Sequence, residues 1–315
     1  MDAAAYTPEV VKSLQIAKVF DDSTKVINAI DFSDNGEQLV TSGNDNEIHV
    51  YNVLEAQRTK KVPSQKYGCS HVRFTHSSMC ILHASTQKNN DVRYLSLHDS
   101  KYLRYFKGHT DRVTNIDMNP TTDAFLTTSD DCTMRLWDLR SDHCQGCLKT
   151  DKPSVACFDS TGLVMAVGVN GSSINLYDAR KYEKGPFAKF EVKNSQNAGS
   201  WTKLQASPDS QHFALTTGYG LSFMIDAFSG EEEAALGDRE LATAVDLSAD
   251  FTPCGRFFAT AGKGGVIDIW NIAEKKKEAH LTRHHDDVSC VRFNPKYMMM
   301  ASTCSNLCLW LPSPS

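Results

Sequence analysis

Residues 108–138 read GHTDRVTNIDMNPTTDAFLTTSDDCTMRLWD. This stretch begins with Gly108-His109 and then alternates apolar and polar residues over Val113–Met118 and again over Ala124–Thr128. A polar turn separates the second alternation from a third, Met134–Asp138, which ends in Trp-Asp. Alternation with a period of two is typical of strands that bury one face. The stretch therefore predicts three successive β-strands.

The same pattern recurs along the whole chain of 315 residues. Aligning the copies on their last aromatic or apolar position gives Tyr51, Tyr94, Trp137, Tyr177, Ile225, Trp270 and Trp310. The spacings between these positions are 43, 43, 40, 48, 45 and 40 residues. A period of this length, with Gly-His near the start and Trp-Asp near the end, is typical of WD repeats, which form blades of four strands. Seven copies predict an all-β fold, a seven-bladed WD-repeat β-propeller over residues 14–312.

The last repeat lacks a fourth strand, because only five residues follow Trp310. Leu14–Phe20 alternates and precedes the first repeat, so we expect it to supply the missing outer strand and close the propeller. Closure matters because an open ring leaves unpaired strand edges. Residues 1–13 are then predicted to be a flexible N-terminal tail, and residues 313–315 a short C-terminal tail.

Composition excludes several classes of protein. The net charge of −5 argues against a protein that grips nucleic acid with its whole surface, although a local basic patch is compatible with it. The first residues carry no apolar run of the kind that a secretory signal needs, and no stretch reaches the 18 apolar residues of a membrane span. Ten scattered cysteines then indicate a reducing compartment with free thiols.

The best repeat carries a set of hydrogen-bonding side chains that resembles a catalytic triad. His109, Thr127, Asp131 and Trp137 stand at the positions that form an internal hydrogen-bond relay in WD repeats. A buried imidazole and a buried indole N–H both need partners, which a carboxylate and a hydroxyl provide. We therefore interpret the four residues as a structural relay and predict no catalytic residues.

Other motifs point weakly to chemistry. His143–Cys147 contains a Cys-x-x-Cys, which is half of a zinc site, and no second pair of matching spacing is present. The glycine-rich Gly262–Gly265 joins two strands and precedes no helix, so it does not fit a phosphate loop. The run Arg283–Asp286 is rich in histidine. We predict no bound metal or cofactor and leave metal binding at His143–Cys147 open.

Several stretches go beyond a generic WD repeat. They are Lys66–Gly68, Val92–Asp99, Lys101–Phe106, Met134–Ser141, Leu176–Arg180, Lys184–Ala188, Phe293–Lys296 and Cys304–Pro312. Together they resemble the family of WD repeat-containing protein 82, which includes the yeast Swd-two subunit. The resemblance covers nearly the whole chain and is weakest at Ser195–Gly199 and Gly230–Leu241.

The resemblance implies a non-catalytic adaptor in the nucleus. It implies two kinds of partner: the catalytic subunit of a COMPASS-type histone-three lysine-four methyltransferase, and the regulatory subunits of a phosphatase-containing complex of transcription termination. It also implies a link to the phosphorylated C-terminal repeat of RNA polymerase II, with no membrane contact and no strong binding of nucleic acid. The alternatives are a generic WD-repeat adaptor, such as a ubiquitin-ligase substrate receptor, and an enzyme on a propeller fold.

Aligning the repeats also predicts a partner-binding rim. The turns after the second strands and the links into the first strands share one face of a propeller. The residues that we place there are Lys25, Asn44, Tyr67, Arg112, Asp130, Asn170, Trp201 and Lys263. Aromatic and arginine side chains on a polar rim are typical of peptide-binding hot spots, and the cations suit a phosphoserine. The alternative for each residue is a solvated surface side chain. The sequence does not decide which complex dominates or which partner segment docks.

Overall fold

The computed structural model describes residues 6–169, 171, 173–193, 199–237 and 248–313. These residues form seven antiparallel sheets of four strands each. The protein is a seven-bladed β-propeller of the all-β class, which confirms the prediction from the repeats. The chain divides into two compact units. We call Met1–Ser78 with Val245–Ser315 the terminal unit, and Met79–Ala244 the middle unit.

The terminal unit contains the first, sixth and seventh blades and one strand of the second. The first blade is β2 Ile27–Phe32, β3 Gln38–Gly43, β4 Glu47–Asn52 and β5 Gln57–Pro63, followed by β6 Ser70–Phe74 of the second blade. The sixth blade is β22 Ala249–Phe251, β23 Phe257–Ala261, β24 Val266–Asn271 and β25 Lys276–Thr282. The seventh blade is β1 Leu14–Phe20, β26 Cys290–Phe293, β27 Met300–Thr303 and β28 Leu307–Pro312.

The middle unit contains the rest of the second blade and the next three blades. Its strands are β7 Cys80–Ala84, β8 Val92–Ser96, β9 Tyr102–Phe106, β10 Val113–Met118, β11 Ala124–Ser129, β12 Thr133–Asp138, β13 Gly146–Lys149, β14 Ser154–Phe158, β15 Val164–Val169, β16 Ser173–Asp178, β17 Ala188–Glu191, β18 Trp201–Ala206, β19 His212–Thr217, β20 Ser222–Asp226 and β21 Glu232–Leu236. A 3-10 turn, Tyr182–Lys184, stands between β16 and β17.

Burial falls from the inner strands of a blade to its outer strand. Every residue of β14 and of β23 is buried, whereas most residues of the outer strand β5 are exposed. An inner strand lies between neighbouring blades and is covered on both faces, so its apolar run is continuous. The outer strand has one unpaired edge and one solvent-exposed face, so polar residues predominate in β5.

Neighbouring blades in the terminal unit are joined by buried carboxylates on their first strands. The Asp31 carboxylate accepts the backbone N–H of Phe74 at 2.9 Å. The Asp250 carboxylate accepts that of Phe293 at 2.8 Å. The guanidinium of Arg292 bridges the two carboxylates, 3.1 Å from Asp31 and 3.2 Å from Asp250. Each carboxylate is thereby paired and hydrogen-bonded, as a buried charge requires.

The N-terminal strand completes the seventh blade as predicted. β1 pairs antiparallel with β28, from Leu14 opposite Pro312 to Phe20 opposite Leu307. A register shift between Ile16 and Lys18 marks a bulge in this edge strand. The pairing leaves the blade with a full set of four strands.

The described residues before β1 differ from the predicted flexible tail. Pro8–Lys12 forms a short helix, α1, whose cap Thr7 accepts the backbone N–H of Val10. Tyr6 is 1% exposed and Val11 is fully buried, and the Tyr6 ring meets Phe293 edge-on at 5.4 Å. The tail prediction is therefore wrong for residues 6–13, because their apolar side chains complete the core of the sixth and seventh blades.

Candidate functional site

The predicted relay of the third blade is a continuous chain of hydrogen bonds. Thr127 stands at its centre: its hydroxyl lies 2.7 Å from Nε2 of His109 and accepts the indole N–H of Trp137 at 2.9 Å. Nδ1 of His109 lies 2.9 Å from the carboxylate of Asp131. Thr133 donates its hydroxyl to the same carboxylate at 2.6 Å. This pattern fits a neutral His109 that donates from Nδ1 and accepts at Nε2.

Burial and hydrogen bonding hold the relay in this protonation state. Burial lowers the pKa of His109 and outweighs the opposite effect of Asp131. Burial alone would raise the pKa of Asp131, but the hydrogen bonds from Thr133, His109 and the Thr110 N–H lower it to about 2. The relay ends on the indole of Trp137, which is 1% exposed. The Thr127 hydroxyl lies between His109 and Trp137, and Thr127 is fully buried, which favours the predicted structural role.

The seventh blade contains a related chain that the sequence analysis missed. Nε2 of His284 lies 2.6 Å from the Ser302 hydroxyl, which accepts the indole N–H of Trp310 at 2.6 Å. Nδ1 of His284 faces the thiol of Cys304 at 3.3 Å, where His109 faces a carboxylate. Burial, with a smaller effect of the neighbouring His285, lowers the pKa of His284 to about 4. The histidine-rich run thus supplies a structural residue.

The rim residues of the terminal unit lie at the surface. Asn44 is exposed and accepts a hydrogen bond from the Asn28 amide at 3.0 Å. Lys25 is exposed, and Lys263 is half-buried at the start of the turn Lys263–Gly265. Tyr67 is half-buried, with the ammonium of Lys66 4.9 Å from its ring centroid. These positions suit the predicted surface role, although Asn44 and Tyr67 already make local contacts.

The rim residues of the middle unit differ more from the prediction. Arg112 and Asp130 are exposed and face each other at 3.5 Å, so they form an ion pair. Trp201 is 6% exposed and belongs to the core of the fourth and fifth blades, in contact distance of Gly168. Trp201 is therefore not a rim aromatic, because its indole is packed inside the unit. Asn170 lies outside the described residues.

The Cys-x-x-Cys hairpin has a local structural arrangement. The Cys144 thiol lies 3.0 Å from the Gly146 carbonyl oxygen and is half-buried, whereas Cys147 is exposed on β13. Among the described residues, no group of three or more His, Cys, Asp or Glu side chains has an arrangement that could hold a metal ion.

In the same part of the chain, no helix is long and apolar enough to cross a membrane.

Comparison with known proteins identifies the repeats and the family. The WD domain, G-beta repeat family matches residues 14–52, 100–138 and 275–310. WD repeat-containing protein 82 of Drosophila melanogaster is 40% identical over 305 residues, which cover 96% of either chain. The chain belongs to the WD repeat-containing protein 82 family. The resemblance carried by the non-repeat stretches is thereby confirmed.

Two yeast relatives extend this family. The Set1 complex component swd2 of Schizosaccharomyces pombe is 34% identical over 286 residues, 88% of this chain and 80% of the relative. The COMPASS component SWD2 of Saccharomyces cerevisiae is 32% identical over 289 residues, 88% of each chain. The similarity therefore spans the propeller and is not confined to its most regular repeats.

Proposed function

We propose that this protein is a non-catalytic WD-repeat subunit of a COMPASS-type histone-three lysine-four methyltransferase complex in the nucleus. The observation that carries the proposal is the near full-length similarity to two yeast proteins that are named as Set1-complex and COMPASS components. The fold supports a scaffold role, because propellers of this kind present loops and strand edges to partners. The triad-like side chains of the third blade hydrogen-bond to one another and to a buried indole, which supports a structural role for them.

We extend the proposal to a second assembly, a phosphatase-containing complex of transcription termination and three-prime-end processing. The family resemblance supports this extension, together with a link to the phosphorylated C-terminal repeat of RNA polymerase II. One adaptor serves two assemblies when its binding surface accepts similar short segments from different partners. The two complexes are then expected to compete for this protein.

Affinity purification of the tagged full-length protein from nuclear extract, followed by mass spectrometry, tests the proposal. We expect a methyltransferase catalytic subunit, and separately a phosphatase regulatory subunit. The exposed Arg140→Ala is a control for surface substitution that should recover the same set, because, among the described residues, the hydrogen bonds and the ion pair of the Arg140 side chain all go to Asp138 of its own blade. A folded protein that recovers neither enzyme, or that stays outside the nucleus with ubiquitin-ligase subunits, would contradict the proposal.

We further propose that exposed cations on the loops contribute to binding of phosphorylated or acidic segments. In the terminal unit, neither Lys25 nor Lys263 forms an ion pair with a described carboxylate. Lys25→Glu with Lys263→Glu should weaken binding of a phosphoserine peptide and flatten its salt dependence, because screened attraction is lost. Arg112→Glu is tested separately, since Asp130 already offsets its charge. If all these variants bind the phosphoserine peptide at low salt with wild-type affinity, the rim cations do not contribute to its binding.

A further inference from the structure

A surface pocket lies at one end of the fourth blade, entirely within the middle unit. Its volume is about 480 Å³, and the turn between β14 and β15 and the connection from β16 to β17 form its walls. Ligand pockets in proteins have volumes of roughly 300–1,000 Å³. The pocket is therefore large enough to accept one or two side chains of a bound segment.

Two apolar side chains are held open to solvent on either side of this pocket. Leu163 is 46% exposed and Phe187 is 61% exposed. The backbone N–H of Phe187 donates to the Leu176 carbonyl at 2.8 Å, and the Leu163 carbonyl accepts the N–H of Ala179 at 2.8 Å. These backbone hydrogen bonds hold both residues next to the sheet, at the ends of the loops that form the pocket. Apolar and aromatic side chains that line a concave surface, together with a few polar groups, are typical of ligand pockets.

The connection that forms one wall is anchored on the third blade. The hydroxyl of Tyr182 donates to the Gln145 carbonyl at 2.9 Å, and its ring fills the space where a side chain at position 146 would be. Gly185 ends the 3-10 turn at φ +86, a conformation that favours glycine. The wall is thus preformed, which reduces the entropy lost when a partner binds.

Three cations surround the apolar pair. Arg180, Lys181 and Lys184 are exposed, and within the described residues none of them forms an ion pair. The equivalent arginine of the third blade behaves differently: both arms of Arg140 bind the Asp138 carboxylate, at 3.0 and 2.7 Å. In the fourth blade, the corresponding carboxylate of Asp178 accepts the backbone N–H of Arg180 at 2.8 Å and pairs with no side chain of the described residues. The guanidinium of Arg180 therefore remains available at the pocket.

We propose that this pocket binds a short segment of a partner protein in which an apolar side chain is flanked by carboxylates. The apolar side chain would lie between Leu163 and Phe187, and the carboxylates would pair with Arg180, Lys181 and Lys184. Charge complementarity favours an acidic segment, because the residues that line the pocket carry three cations and one carboxylate, that of Asp178. Glu183 lies in the same connection but does not line the pocket. The pocket would be one docking site of the proposed scaffold. In that respect the inference rests on the proposed function.

Peptide binding to the purified full-length protein tests the pocket. The probe is a short, capped, fluorescein-labelled peptide with one leucine between two pairs of aspartates and glycine or serine at the other positions. Its binding is measured by fluorescence anisotropy at low salt. One comparison peptide replaces the leucine with serine, and the other replaces the aspartates with lysines. We expect the leucine–aspartate peptide to bind most tightly, since it alone satisfies both halves of the site.

Matched variants then assign the binding to this pocket. Arg180→Ala should raise the Kd about two- to fivefold, the range of a solvent-exposed ion pair, whereas Arg140→Ala should leave it unchanged. Phe187→Ser should raise the Kd about tenfold by removing the larger apolar contact. Equal binding of all three peptides, or equal loss in Arg180→Ala and Arg140→Ala, would overturn the inference. Recovery of the methyltransferase in the purification above, without peptide binding, would refute the pocket and leave the proposed function standing.

Discussion

Thr127→Val is a sharp test of the relay, because valine keeps the shape of threonine and removes only its hydroxyl. Without this hydroxyl, the indole N–H of Trp137 and Nε2 of His109 both lose a partner inside the protein. Each unsatisfied buried group costs about 1–3 kcal/mol. We therefore expect the free energy of unfolding to fall by about 2–6 kcal/mol.

The sixth blade offers the matched control. There, Trp270 donates to the Thr260 hydroxyl at 3.1 Å, and no histidine takes part. Thr260→Val leaves one half-buried donor without its partner, so the expected loss is about 1–2 kcal/mol. Urea titration with tryptophan fluorescence and far-ultraviolet circular dichroism measures both variants. A Thr127→Val protein within about 0.5 kcal/mol of wild type, or no less stable than Thr260→Val, would refute the relay as a source of stability.

Three other predictions follow from the packing and the pKa values. Deleting residues 1–13 should lower the melting temperature because it removes the buried side chains of α1, and deleting residues 1–20 should lower it further by removing β1; equal melting of both truncations and the full chain would contradict this. The free energy of unfolding should decline as the pH falls from about 6.5 to 4. Burial lowers the pKa of His83 to about 4, so within this range the imidazole takes up a proton in the unfolded chain but not in the folded one. A calorimetric melting temperature that is constant over this range would count against this prediction. Trp137→Ala should cost about 3–5 kcal/mol and weaken all partners together; selective loss of one partner in a pull-down, with an unchanged melting curve, would show that the relay contacts a ligand.

The repeat made the strands predictable, because six of the seven copies place an aromatic residue near the end of the third strand, and the fifth places Ile225 there, at a nearly fixed spacing. The closing role of Leu14–Phe20 followed from counting strands, and the pairing with β28 confirms it. The helix α1 was missed because five residues carry no measurable periodicity, and tertiary contacts of Tyr6 and Val11 hold it. The helix forms because Tyr6 and Val11 pack against residues of the sixth and seventh blades, which are distant in the sequence.

Side-chain surroundings were less predictable than strands. Trp201 stands at the position of a rim residue, but it faces Gly168, which leaves room for an indole inside the unit. The relay of the seventh blade was missed because the hydroxyl precedes the tryptophan by 8 residues, whereas the third blade has 10. The pocket between Leu163 and Phe187 depends on how two loops meet, and a linear alignment of repeats carries no such information.

The pairing of β1 with β28 has a consequence for biosynthesis. The ribosome makes β1 long before it makes β28, the hydrogen-bonding partner of β1. At about 5–20 residues per second, the early strand waits roughly 15–60 s for its partner. During that interval it is an unpaired edge that could join another chain. The exposed part of β1 is mixed: Gln15 and Lys18 are polar, whereas Ala17 and Val19 are apolar. The lysine and the bulge are features that lower this hazard at an edge strand.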